Sequence, residues 1–379
     1  WSANDGLGTF EPPQIISTLV IGAHCVTSAD LDGDGDLDVL SASSYNAENK
    51  IAWYRNNGSG IFGPQQIIST VAVGARSVAV ADLDEDGDLD VLSASYIDLD
   101  GTIAWYANWG SGAFGPQQII SNAMLGTRCV ATADLDGDGD VDVLSASSDD
   151  HKVAWYANSG SGNFGPQFEI STSIGGPNCV VPADLDGDGD LDVLFSASPS
   201  DNTIGWYAND GSGAFGPQQA ISTTGSPACV ASADLDGDGD LDVLYSGQFG
   251  GDIRWHANDG LGTFGPQQFI TNLATPGSSV ASADLDGDGD LDVLSGAGTS
   301  IGWFANNGTG AFGPHQNITT ETNGTTYVVS ADLDDDGDLD VVSASRNDDK
   351  IAWYANDGSG VFGPQQIIST LSDQPWSVA

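Results

Sequence analysis

The residues with the most chemistry in this chain are aspartates set at alternate positions. Asp30-Leu31-Asp32-Gly33-Asp34-Gly35-Asp36-Leu37-Asp38 packs five carboxylates into nine residues. The pattern returns at Asp82, Asp84, Asp86, Asp88 and Asp90; at Asp134, Asp136, Asp138, Asp140 and Asp142; and at Asp184, Asp186, Asp188, Asp190 and Asp192. Three more copies hold Asp234, Asp236, Asp238, Asp240 and Asp242; Asp284, Asp286, Asp288, Asp290 and Asp292; and Asp332, Asp334, Asp336, Asp338 and Asp340. Carboxylates this crowded repel one another unless a cation sits among them. Calcium takes six to eight hard oxygen ligands, and this supply suits it better than it suits the strictly octahedral magnesium ion.

Used as in an EF-hand, the first loop would offer the side chains of Asp30, Asp32 and Asp34 and the backbone carbonyl of Asp36. Gly35 would make the turn. Position 12 of the loop is Ser41 rather than a glutamate, so Asp38 must supply the closing carboxylate. Leu37 and Val39 are expected to point into the core and fasten the loop. About seven structural calcium ions follow, each contributing to folding, with no open coordination site for catalysis.

Other reactive side chains are sparse. His24, His151, His256 and His315 fall at four different places in the repeat and read as surface or turn residues. No nucleophile–base set or carboxylate pair stands apart from the Asp loops, and no unit visibly breaks the consensus with a polar cluster. The expectation is a protein that is not an enzyme. Cys25, Cys129, Cys179 and Cys229 each sit five residues before a loop. Equivalent positions of successive repeats seldom come within bridging distance, so the cysteines read as small buried residues rather than disulfides. Four sequons, at Asn57, Asn307, Asn317 and Asn323, lean toward an extracellular glycoprotein.

The elements that position the loops repeat with them. Successive loops start 52, 52, 50, 50, 50 and 48 residues apart, the period of a repeat architecture. Each unit runs from a short apolar stretch such as Cys25–Ala29 through the loop to Val39–Ser43. After a polar turn come Lys50–Tyr54, then Asn57-Gly58-Ser59-Gly60, Phe62-Gly63-Pro64 and Gln65–Ser69. These runs are short, rich in Val, Ile, Trp and Tyr, and bounded by Gly, Asn, Asp or Pro, which are strand signals. No helical periodicity interrupts them. Four strands per unit of about 50 residues predict an all-β fold, a single β-propeller over residues 1–379. Trp53, Trp105, Trp155, Trp206, Trp255, Trp303 and Trp353 should pack between blades, with Ala52 and Tyr54 and their equivalents on the opposite faces. Trp109 falls in a turn and is the better candidate for an exposed contact.

Seven units are complete. Residues 1–18 supply two further strands and 376–379 the start of another, without a loop between them. They would close an incomplete eighth blade, or pair with a neighbouring copy of the chain while seven blades close, or mark a chain cut from a longer array. The formal charge is -46, and 37 of the 54 acidic residues lie in the loops. Seven divalent cations would leave roughly −32, still unsuited to nucleic acid or an anionic membrane surface. No apolar run approaches the length of a membrane span. With 40% hydrophobic residues and ten Trp, the chain should bury a core rather than stay disordered.

The Asp-Leu-Asp-Gly-Asp-Gly-Asp-Leu-Asp loop followed by Gly-x-Phe-Gly-Pro resembles the FG-GAP/VCBS repeat family, over essentially the whole chain. Its propellers include integrin α-subunit heads, fungal lectins and many secreted bacterial and algal proteins. The resemblance implies that each loop joins the first two strands of a blade and binds calcium. Glu85 and Asp335 in place of Gly, and Val141 in place of Leu, are small departures. Nothing marks an inserted domain or ligand loop, so integrin-type adhesion is not implied. The expected role is an extracellular, non-catalytic structural, adhesion or binding module acting on a glycan or protein. A filament subunit joined through the terminal strands and a glycan-binding lectin are the alternatives.

Overall fold

A computed structural model of the chain describes residues 23–45, 48–57, 63–96, 101–197, 201–247, 252–272, 277–331, 337–345, 347–348 and 350–369. The terminal strands expected at 1–18 and 376–379, and Asp332, Asp334 and Asp336 of the last loop, lie outside these residues. The described residues form seven four-stranded antiparallel sheets and no helix. In every sheet the strands lie side by side in chain order. These are the blades of a seven-bladed β-propeller, at residues 23–69, 75–124, 127–171, 177–222, 227–272, 277–319 and 325–369, numbered 1 to 7 below. Blades 1–4 fall in one compact unit, Leu19–Thr224, and blades 5–7 in another, within Gly225–Ala379.

Blade 3 shows why the sequence divides this way. Its strands are Thr127–Ala133, Asp142–Ser147, Lys152–Tyr156 and Phe168–Ser171. All six residues of the second strand are buried, whereas all four from 168 to 171 are exposed or half-exposed. A strand covered on both faces needs apolar or small residues throughout, and Asp-Val-Leu-Ser-Ala-Ser supplies them with only its first carboxylate as an exception.

The core lies between blades, as the two-faced pattern predicts. Leu92, Ile103 and Trp105 of blade 2 pack with Val143, Ala154 and Tyr156 of blade 3. In the other unit Leu294, Ile301 and Trp303 of blade 6 meet Val341, Ala352 and Tyr354 of blade 7. Burying one such Trp contributes on the order of 5 kcal/mol before the entropy of ordering is set against it. The indoles of Trp53, Trp105, Trp155, Trp255 and Trp303 also meet edge-on the Phe of the next blade's Phe-Gly-Pro turn. Trp53–Phe114, Trp105–Phe164 and Trp303–Phe362 all have ring centres 6.4 Å apart.

One sequence expectation fails in detail. Leu37 is 61% exposed. Leu89 and Leu191, by contrast, are half-buried on the neighbouring core. The residue that fastens each loop is instead the leucine at its second position: Leu31, Leu83, Leu135, Leu185, Leu235 and Leu285 are essentially fully buried.

Gly162 sits over the indole of Trp105 with φ +65°, and a Cβ there would overlap the ring. Gly139 has φ +98° but open space around it. Gly162→Ala is therefore expected to cost about 3 kcal/mol, adding overpacking to left-handed strain, and Gly139→Ala about 1 kcal/mol. Urea unfolding in calcium compares the two; equal costs would contradict this packing.

Candidate metal centre

Each Asp loop joins the first strand of a blade to the second. In blade 3 the chain leaves the first strand at Asp134 and folds around that carboxylate. Asp134 Oδ1 accepts from the Gly137 N–H at 2.8 Å and Oδ2 from the Gly139 N–H at 3.0 Å. Both glycines have positive φ, which lets two backbone donors converge on one side chain. The exposed Asp138 accepts from the Asp140 N–H at 3.0 Å. Asp142, fully buried at the start of the second strand, accepts from the Leu135 N–H at 2.9 Å and the Asn158 N–H at 2.8 Å.

This folding brings the first, third and ninth loop positions together. Carboxylate oxygens of Asp134, Asp136 and Asp142 lie within 4.8 Å of one another, as do those of Asp184, Asp186 and Asp192 and of Asp234, Asp236 and Asp242. The first loop gathers Asp30, Asp32 and Asp38 in the same way, and the second gathers Asp82, Asp84 and Asp86. The seventh-position carboxylates are drawn elsewhere. Asp88, Asp140, Asp190, Asp240, Asp290 and Asp338 lie against a turn glycine of their own blade, so close that a Cβ would collide with them.

The donor set fits a hard cation. Oδ1 of Asp32, Asp84, Asp136, Asp186, Asp236 and Asp286 is buried without a hydrogen-bond partner. A buried carboxylate oxygen lacking a donor is costly unless a cation compensates it. Burial raises the pKa of the ninth-position groups despite their two backbone hydrogen bonds. Asp90 and Asp242 are pushed up to about 7, and Asp142, Asp192 and Asp292 to about 6. Desolvation raises Asp136, Asp186 and Asp236 too, aided by their loop neighbours.

Two loops differ from the rest. Glu85 replaces glycine at the fourth position yet keeps φ +59°, a strained conformation for a residue with a Cβ. Its carboxyl meets Asp140 of the next blade, and that contact raises its pKa. In the first loop Arg55 supplies a cation of its own. Its Nη2 donates to Asp34 Oδ2 at 2.9 Å, and its Nε stands 2.6 Å from Asp32 Oδ2, at ion-pair distance but outside hydrogen-bond geometry. The equivalent residue in the other six blades is alanine.

Sequence reasoning also missed the asparagine that follows each Trp by three residues. Asn158 donates through Nδ2 to the Leu83 carbonyl of the preceding blade's loop at 2.7 Å and to the Val141 carbonyl of its own at 3.0 Å. Its N–H meanwhile holds Asp142. Asn108, Asn209, Asn306 and Asn356 repeat the double bond to Leu31 and Leu89, Leu135 and Leu191, Leu235 and Leu291, and Leu285 and Leu339. In these five blades one buried side chain ties the loop to the one before. Its presence in all seven units was the available signal.

The remaining candidates scatter. His151 lies in a turn with φ +63°, and His315 is half-buried beside Phe304. His256 is not a surface or turn residue: it occupies the core place of the blade tyrosine, 3% exposed and stacked on Tyr245, and burial lowers its pKa. His24 lies in the first strand of blade 1. Blade 5 does break the consensus, with Asp252 and Arg254 paired on its third strand and the guanidinium 5.0 Å from the Phe269 ring centre. None of the four cysteines is in a disulfide, and all are half-buried. The Cys179 thiol of the adjacent blade hydrogen-bonds Cys129 and lowers its pKa. Asn57, Asn307, Asn317 and Asn323 are all exposed, and Trp109 is 65% exposed.

The chain belongs to the FG-GAP-like repeat family. The family's model matches residues 1–41, 30–93, 86–145, 134–195, 194–245, 243–295, 284–343 and 332–379. A comparison with curated proteins returned no match. Among solved structures, the chain is similar to an Agrocybe aegerita lectin that recognises non-reducing terminal N-acetylglucosamine. That likeness has a TM-score of 0.61 at 19% identity and covers 94% of this chain and 92% of the lectin. It is also similar to the V. cholerae biofilm matrix protein Bap1, with a TM-score of 0.51 at 14% identity over 94% and 82% of the two chains. Virginiamycin B lyase from Staphylococcus aureus matches with a TM-score of 0.51 at 12% identity over 80% and 92%. At these identities the likeness is one of fold.

The raised carboxylates fix the sign of a pH effect. Between the ordinary value of 3.8 and about 6 to 7, the metal-free folded chain holds more protons at Asp90, Asp142, Asp192, Asp242 and Asp292 than the unfolded chain does. Stability must then fall as pH rises through that window. In EGTA the melting temperature is expected to drop from pH 4.5 to pH 7.5, and with saturating calcium the drop should vanish. A metal-free profile that is flat or rising would contradict the assignment.

Proposed function

We propose that the protein is an extracellular, calcium-stapled and non-catalytic binding or structural module. The observation that carries this reading is the buried third-position carboxylate oxygen without a donor, found in six loops. An ion held by the first, third and ninth positions would supply the missing positive charge and set the angle between the first two strands of the blade. The ninth-position aspartate would pass that constraint through the Asn latch to the preceding loop. Four exposed sequon asparagines, and loops whose calcium an extracellular fluid would supply, favour a secreted or cell-surface setting.

The staple leaves the turn after each latch free to carry recognition. Its tip holds the exposed Trp109 in blade 2, Asp210 in blade 4 and Asn307 in blade 6. Equivalent turns on successive blades suit weak, multivalent binding of a repeated ligand such as a glycan. The glycan-binding lectin among the structural neighbours supports that choice of ligand class. Screening the calcium-loaded protein on a glycan array is expected to give hits that EGTA abolishes. No binding in either condition would sink the glycan reading while leaving the structural one.

Arg55 makes the first loop the weakest calcium site, because its guanidinium competes for Asp32 and Asp34. By equilibrium dialysis at low calcium, Arg55→Ala is expected to bind one more ion per chain than the unaltered protein. An unchanged count would show that Arg55 does not compete.

A further inference from the structure

The first strand of every blade opens with a β-bulge. In blade 2, Ala75 pairs with Ser95 and Ser77 with Ala94, so Arg76 has no partner opposite. In blade 3, Thr127 pairs with Ser147 and Cys129 with Ala146, which leaves Arg128 unpaired in the same way. A bulge re-aims the extra side chain away from the ladder. The fold therefore repeats one display position per blade, and in two successive blades it carries arginine. These are two of only eight basic residues in the chain.

Both guanidinium groups converge on one ring. Arg76 lies 4.3 Å from the centre of Tyr96 and Arg128 lies 5.7 Å from it. The ring is held by its hydroxyl, which donates to Asp149 Oδ2 at 3.1 Å. Arg128 is held through Nε, which donates to Ser148 Oγ at 2.9 Å, and Ser148 in turn donates to Asp149 Oδ1 at 2.8 Å. Both Nη groups of Arg128 remain for a ligand. Arg76 is half-buried, and among the described residues neither arginine forms an ion pair within 4.0 Å. Two like charges are held together here with Asp149 nearby, and burial first, then the Arg128 charge, lowers the pKa of Arg76.

We propose that Arg76 and Arg128, bracketing Tyr96, form a binding site for an oxyanion, the carboxylate or sulfate of an acidic sugar. A planar guanidinium matches such a group bidentately, which a lysine does not. The long-range field of the acidic chain does not forbid it. Arg76 and Arg128 stand at the start of seven-residue strands whose far ends enter the Asp loops, roughly 20 Å away. That is more than two Debye lengths at physiological salt, about 8 Å each. The site deepens the binding-module reading but does not depend on calcium chemistry, since it shares no residue with the loops.

The test is calorimetric titration of the calcium-loaded protein with glucuronate, with glucose 6-sulfate and with neutral glucose, at constant ionic strength. Glucuronate or the sulfated sugar is expected to bind saturably and at least tenfold tighter than glucose, and the better of the two identifies the oxyanion. Arg76→Ala/Arg128→Ala should abolish that binding, and Arg76→Lys/Arg128→Lys, which keeps the charge, should weaken it about tenfold. A melting temperature for each variant in calcium separates lost binding from lost folding. The proposal is overturned if no anionic sugar binds, or if the folded double-alanine variant binds as well as the parent. Failure of the calcium reading would be seen separately, as unchanged melting in EGTA.

Discussion

A carboxylate buried with too few donors is the constraint on which this structure turns. In each described loop two backbone N–H groups reach the ninth-position aspartate and none reaches one oxygen of the third. Neutral hydrogen bonds offset part of the desolvation, and the raised pKa values show that they fall short of it. The described loops thus carry, in six blades, a deficit of positive charge in the same place. Repetition in six loops turns a local electrostatic cost into a condition on most of the chain.

The rest of each blade is arranged around that point. The second-position leucine anchors the loop in the core, and the ninth-position aspartate begins the most buried strand. The Asn latch spans two loops, so a change in one is felt by the loop before it. Apolar packing of Trp against the next blade's Tyr and Phe fills the core between blades, but it is non-directional. Hydrogen bonds from the latch give the stacking its register. Within each unit, calcium affinity and blade packing should therefore be coupled.

Much of this was legible in the sequence. The period near 50, the alternating aspartates and the two-faced Trp strands give the blades, their strand order and the loop positions directly. What escaped depends on long-range placement. Asn158 reads as a turn residue until its amide is seen to reach a carbonyl 75 residues away. Arg55 reads as one substitution among alanines, yet it lands on two loop aspartates. Leu37 follows the same alternation as Leu89 yet is exposed, and His256 takes a tyrosine's core place that its residue type conceals. The pairing of Arg76 with Arg128 needs the bulge, which leaves no local signature beyond the repeat itself.

The most direct measurement is thermal unfolding of the full chain at pH 7.5, followed by circular dichroism, in millimolar calcium and after exhaustive EGTA treatment. If cations complete the loops, calcium gives a cooperative transition and its removal lowers the midpoint by tens of degrees or abolishes the folded signal, reversibly on adding calcium back. A chain that melts at the same temperature with and without calcium would contradict the account.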